Sequence, residues 1–279
     1  MRYLSFLFAF LFLLPLSSCA STSSKNQFNA YLPRPFEEYF QEYYPLNKQE
    51  TSIPNVWDVS DVDVSDVDKN RKLIAFTFDD APSKTLEHIL AVFASYNEQN
   101  PDCRATATIF YNGGRVEEEA LPLLHTSLAL GFELGNHTTS HFDLTTLDEE
   151  ALKNEIAQTD QLLSKVDGKR LHLLRAPFGR INEKIKSILE TPIIDWTIDT
   201  LDWTGASEEE IYRRIWEGRF SGGIVLMHDG YPHTVSALKR LLPDLKADGY
   251  QVVSVSAMAK MHNCPLKKGN LYIRARKQY

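Results

Sequence analysis

Seven short apolar runs, at 73–78, 105–111, 131–135, 171–175, 193–198, 223–228 and 250–255, restrict the fold of this chain more than any other feature. Each is five to seven residues long, right for a buried strand and short for a buried helix. Amphipathic helical stretches separate most of them. In "TLDEEALKNEIAQTDQLLSKV", Leu152, Ile156, Leu163 and Val166 recur at helical spacing, with Thr146 or Asp148 placed to cap the start. Strand–helix alternation on this scale predicts an α/β fold with a parallel sheet, either open and doubly wound or closed into a barrel. No GxGxxG or Walker loop follows the first run, so a nucleotide-binding fold has no support.

The flanks read differently. The stretch "MRYLSFLFAFLFLLPLSSC" has a basic start at Arg2 and an apolar run from Tyr3 to Leu16, and then turns to small residues. That pattern predicts an export signal over residues 1–18 rather than a membrane span. Its end, "LSSC", resembles the lipobox of bacterial lipoproteins, which makes Cys19 the expected lipidation site and the protein an exported, membrane-anchored one. Residues 19–72 read as a tether and lead-in, closing on the acidic repeat "DVSDVDVSDVD", which lacks the glycine and distal glutamate of an EF-hand calcium loop. The expected catalytic domain is 73–262, followed by a tail, 263–279, with five basic residues, Lys267, Lys268, Arg274, Arg276 and Lys277. Cys103 and Cys264 are either a disulfide or two buried thiols. A net charge of −7 argues against a nucleic-acid partner, and no oligomeric state follows from the sequence.

The chemistry lies at the strand ends, where a βα barrel gathers its functional side chains. "LIAFTFDDAP" runs a buried strand into Asp79 and Asp80, two like charges that need a positive neighbour. The third run ends in "ELGNHTTSH", with His137 and His141 four residues apart. Two imidazoles and one carboxylate make a three-ligand site for a divalent metal, with positions left open for water and substrate. The cation then explains the carboxylate pair: one Asp ligates it, and the other, kept ionised beside it, is free to act as a base. The later runs close on "RAPFG" with Arg175, "DTLDW" with Asp199, Asp202 and Trp203, and "LMHDG" with His228 and Asp229.

Taken in order, TFDD, HxxxH, RxPxG, DxxDW and LxHD resemble the five motifs of the polysaccharide deacetylase family, carbohydrate esterase family four, over about residues 70–260. The resemblance implies a distorted seven-stranded (β/α) barrel and removal of acetyl groups from an N-acetylhexosamine polysaccharide. Related alternatives are an O-acetyl esterase and a non-catalytic glycan-binding lipoprotein. It implies Asp79 as general base, and Asp80, His137 and His141 as ligands of one divalent ion, zinc first and cobalt, nickel or manganese as alternatives. It further implies His228 as general acid, Arg175 and Asp202 as their respective supports, and the Phe178 backbone N–H at the oxyanion. Phe178, Trp203, Tyr111 and Tyr231 are expected to contact sugar, with Phe142 near them, while His88, His125, His172, His233 and His262 are expected to be structural, loop or surface residues. In the family Gly usually follows the aspartate pair. Here it is Ala81, which would strain the turn if that position needed a positive φ.

Overall fold

The computed structural model describes residues 56–275; the export signal, Cys19 and most of the expected tether lie outside the described residues. The central strand, β1 (Lys72–Ala81), is buried on both faces, which is why its sequence is continuously apolar rather than alternating. Ile74, Phe76 and Phe78 enter a cluster with Leu86, Phe93, Leu238 and Leu241, whereas Leu73 and Ala75 enter another with Phe110, Val253 and Met258. Thr77 and Asp79 continue the Leu73–Ala75 face, so that face turns polar toward the strand's C-terminal end.

Around β1 stand β2 (Thr108–Tyr111), β3 (Glu133–Asn136), β5 (Ile198–Asp199), β6 (Ile224–His228) and β7 (Tyr250–Val253), all pairing in parallel in the order β3-β2-β1-β6-β5, with β7 also on β1. The helices between them are α1 (Leu86–Gln99), α2 (Leu121–Ala129), α3 (Glu149–Asp167), α4 (Glu183–Ile188), α5 (Glu208–Gly218), α6 (Pro232–Ala247) and α7 (Val255–Met261). Asp148, not Thr146, caps α3, accepting from the Ala151 N–H, and Gly168 closes it in the left-handed conformation. No helix among the described residues is long and apolar enough to cross a membrane.

Two expected strands are altered. The run 171–175 keeps only bridges at Leu174, to Asn136 and to Ile193. The run 193–198 splits into β4 (Ile193–Ile194) and β5, because the carbonyls of Ile194 and Asp195 turn to accept from the Arg175 guanidinium at 2.6 and 3.3 Å. The barrel is therefore distorted on this side.

The described parts of both expected flanks pack on the barrel. The tail supplies β8 (Leu271–Tyr272), parallel to β4, and buries Cys264, Leu266 and Ala275. From the lead-in, Trp57, Val62, Val64 and Val67 pack against the same cluster, and Trp57 donates from its backbone to the Leu266 carbonyl at 2.6 Å. Among the described residues, packing against the barrel therefore extends beyond 73–262 on both sides, to Trp57 and to Ala275. In the acidic repeat, valines anchor inward while Asp58, Asp63 and Asp68 each accept from a backbone N–H two residues on, so the repeat is a string of Asx turns. Cys103 and Cys264 are buried thiols and are not joined to each other.

Trp57→Ala removes a half-buried indole that clasps the tail, and should cost about 2 kcal/mol in urea unfolding. A merely solvated lead-in would change stability by less than about 0.5 kcal/mol.

Candidate functional site

The register of β1 on β6 sets Asp79 beside His228, and the Asp229 N–H donates to the Asp79 carbonyl at 2.9 Å. The Asp229 carboxylate accepts from the Ser83 N–H at 2.5 Å, the Ser83 hydroxyl at 2.8 Å and the Thr85 hydroxyl at 2.5 Å, tying the loop after β1 to the loop after β6.

Asp79 is buried, and its Oδ1 accepts from Arg175 Nη1 at 2.9 Å. Arg175 is itself 1% exposed. A guanidinium so deeply buried needs full pairing, and it also reaches the Thr77 hydroxyl at 3.2 Å and lies over the Phe110 ring at 4.5 Å. Thr77 opens the TFDD motif, but its contact with Arg175 was not anticipated from the sequence.

Asp80 has a φ of 66°, which turns its carboxylate to the imidazoles of His137 and His141. Its Oδ1 lies 3.8 Å from His137 Nε2 and 3.4 Å from His141 Nε2. That oxygen is buried and has no hydrogen-bond partner. Zinc bonds of about 2.0–2.1 Å at tetrahedral angles separate ligand atoms by about 3.3 Å, so these atoms fit a shared divalent ion. His137 Nδ1 sits 2.8 Å from the Arg175 carbonyl. Donating there leaves Nε2 unprotonated and turned to Asp80, the arrangement a ligating histidine takes. Burial, the largest influence on His137, holds its pKa below the usual value and keeps it neutral. Arg115, unanticipated, donates to the Asp80 carbonyl at 3.1 Å.

The turn that carries the histidines is backed by a second turn, Asn112–Arg115, whose Gly113 and Gly114 N–H groups donate to the carbonyls of Thr138 and Thr139 at 2.9 and 2.8 Å. A Cβ on Gly114 would meet the Thr139 carbonyl oxygen at 2.5 Å, so only glycine permits this approach.

On the opposite side, His228 Nδ1 lies 2.8 Å from Asp202 Oδ1. Asp202 also accepts from the His228 N–H at 2.8 Å and the Thr234 hydroxyl at 2.7 Å. Burial opposes charge on His228, but the Asp202 hydrogen bond and the fields of Asp79, Asp202 and Asp80 outweigh it and raise its pKa.

Three exposed aromatics, Phe142, Phe178 and Trp203, belong to the segments that carry these groups. Phe178 holds a φ of 61° and packs its ring against His141, with centroids 4.8 Å apart. Tyr231 meets His228 edge-on at 6.1 Å. Tyr111 departs from expectation: it is fully buried, with its hydroxyl 2.9 Å from the Ser127 hydroxyl, and belongs to the core rather than to a sugar surface. Asp199 accepts from the Leu201 N–H at 2.8 Å and shapes the turn before Asp202.

A family model described as Polysaccharide deacetylase matches residues 66–191. The peptidoglycan-N-acetylglucosamine deacetylase of Bacillus cereus is 34% identical over 204 residues, covering 70% of this chain and 92% of that protein. The chain belongs to the polysaccharide deacetylase family. The peptidoglycan-N-acetylmuramic acid deacetylase PdaC of Bacillus subtilis is 33% identical over 227 residues, 81% of this chain, and the chain spans 47% of that relative's length. Among solved structures, the Xyl-CE4 domain of a multidomain xylanase from the hindgut metagenome of Trinervitermes trinervoides superposes with a TM-score of 0.69 at 28% identity, over 75% of this chain and all of that one. Ala81 stands where the family usually has Gly without left-handed strain, because the positive φ falls on Asp80 and the condition for that strain is not met.

The site should take up a single divalent ion per chain, measured as metal content after dialysis. His137→Ala and His141→Ala should each abolish that uptake, because two ligands do not hold an exchangeable ion against water.

Proposed function

We propose that this protein is a zinc-dependent hydrolase that removes N-acetyl groups from an N-acetylhexosamine polysaccharide of the cell envelope. The observation that carries this reading is the register that sets Asp79 beside His228, next to the ligand cluster Asp80–His137–His141. Two imidazoles and a carboxylate suit zinc, and cobalt, nickel or manganese accept the same donors. A divalent ion held there supplies a Lewis acid for the acetyl carbonyl and lowers the pKa of a water molecule.

The chain's own residues do the rest. Asp79 takes the water's proton through Oδ2, since Oδ1 is engaged by Arg175. The Phe178 N–H donates to the developing oxyanion. His228 gives its Nε2 proton to the leaving nitrogen, its Nδ1 being held by Asp202. Phe178, Trp203 and Tyr231 offer faces for sugar rings.

The names of the Bacillus relatives favour peptidoglycan as the polymer. The likeness to a xylanase-associated domain keeps acetylated xylan as the second substrate to assay. The lipobox-like "LSSC" supports export and a lipid anchor at Cys19. Mass spectrometry of the membrane fraction tests the anchor, and an unmodified Cys19 would rule it out.

Acetate release from peptidoglycan, chitooligosaccharides, poly-N-acetylglucosamine and acetylxylan, with zinc and then with chelator, tests the activity. Release that the chelator abolishes is expected. Asp79→Asn and His228→Ala should each lower the rate about 10²–10⁴-fold. Near-normal turnover in either would refute that residue's role.

His228 must be protonated to act, so activity should fall as pH rises through its raised pKa. Asp202→Asn removes the hydrogen-bonded charge that supports the cation, and should move this alkaline limb to lower pH. An unmoved limb would assign it to another group.

A further inference from the structure

Behind the histidine turn lies a buried ionic group that the proposed chemistry does not use. His172, 1% exposed, joins two carboxylates of α3: Nδ1 meets Asp160 Oδ1 at 2.8 Å, and Nε2 meets Asp167 at 3.2 Å. Burial works against charge on this imidazole, but the charge of Asp167 and the hydrogen bonds to Asp160 and Asp167 overcome it and raise the pKa to about 9. At neutral pH it is a cation that donates from both nitrogens.

The same Asp160 oxygen accepts from Asn136 Nδ2 at 3.0 Å, and that amide nitrogen also donates to the Ile156 carbonyl at 2.9 Å. These two contacts fix which way the carboxamide faces. Its oxygen then accepts the Thr138 N–H at 2.8 Å, and the Thr138 hydroxyl accepts the His141 N–H at 3.1 Å. Thr138 and His141 both hold positive φ, at 65° and 56°, conformations that persist only where surrounding bonds impose them. Asn136 is fully buried and directly precedes His137. A continuous line of hydrogen bonds therefore runs from the buried ion group to the strained backbone between the two histidines.

We propose that Asp160 and Asn136 are positioning residues for the metal-binding turn: Asp160, clamped by His172, orients the Asn136 carboxamide, which holds Thr138 so that His137 and His141 converge. The inference rests on reading the site as a metal centre. Asp167, on the far side of the imidazole, anchors α3 without being part of this line. With Asp167 gone, a neutral His172 still donates from Nδ1 to Asp160.

The test is zinc affinity of the purified protein, read by competition with a chromophoric chelator, with near-UV circular dichroism reporting the fold. Asp160→Ala and Asn136→Ala should each weaken zinc binding about 10–100-fold, the range for partners behind metal ligands. The double variant should lose little more than either single one, since both break the same line. Asp160→Asn keeps an acceptor oxygen and should stay within about threefold of the unaltered protein, as should Asp167→Ala. Losses that add in the double variant, or an Asp167→Ala loss equal to that of Asp160→Ala, would reduce the effect to general destabilisation and overturn the proposal. If Asp160→Ala does not fold, Asn136→Ala decides, and unchanged affinity there overturns it. Absence of zinc binding by the unaltered protein would instead defeat the metal reading, and this inference with it.

Discussion

Everything at the mouth of this barrel depends on the Arg175 guanidinium. Taking a cation out of water costs several kcal/mol unless its donors are met. Here five hydrogen bonds meet them, to Asp79, twice to the Thr77 hydroxyl, and to the carbonyls of Ile194 and Asp195. The aromatic faces of Phe110 and Trp196 close around it. Satisfying the cation breaks the strand after Ile194 and ties three neighbouring segments of the barrel together. A lysine has neither the planar fork nor the donor count to do this. One carboxylate oxygen of Asp79 is used up in the process, and the other is left facing His137 at 3.9 Å.

Adjacent strand residues point to opposite faces, so Asp79 and Asp80 in a regular strand would serve different surfaces. The left-handed φ of Asp80 breaks that alternation and brings both carboxylates to the same histidine. Two neighbouring acids thereby acquire different environments. Asp79 is sunk against a guanidinium, and Asp80 carries an oxygen with no protein donor. Division of labour between like residues follows from such differences in surroundings rather than from residue type.

The parts of the fold legible in the sequence were those written locally. Apolar run length marked the strands, helical spacing marked α3, and the motifs at strand ends named the groups that the barrel gathers. What escaped was set by partners distant in the chain. Tyr111 looked like a strand-end aromatic, but Ser127 gives its hydroxyl a buried partner sixteen residues away. The valines of the acidic repeat gave no sign of their apolar acceptor, because that surface is completed by a tail some 200 residues later. Arg115, Asn136 and Asp160 carry no motif of their own, and Thr77 opens TFDD without that motif saying what its hydroxyl meets. Their importance lies in which atom each one meets.

The exposed rings follow from the same economy. A barrel this size can bury its large apolar side chains, and Phe76, Phe78, Phe93 and Phe110 are fully enclosed. Phe142, Phe178 and Trp203 are more than half exposed, and each is fixed to a segment that also carries a site group: Phe142 to His141, Phe178 to the turn after Arg175, and Trp203 to Asp202. Trp203 even donates its backbone N–H to the Asp202 carboxylate at 2.9 Å, so the exposure of its ring is coupled to the support of His228. Phe178 adopts a left-handed backbone that a bulky residue otherwise avoids, with Arg180 over its ring at 5.7 Å. Strain and exposure in one residue, against the ring of His141, oppose stability. Neither feature is explained by core packing, and both place an apolar face beside the imidazole of His141, as the proposed sugar contact requires.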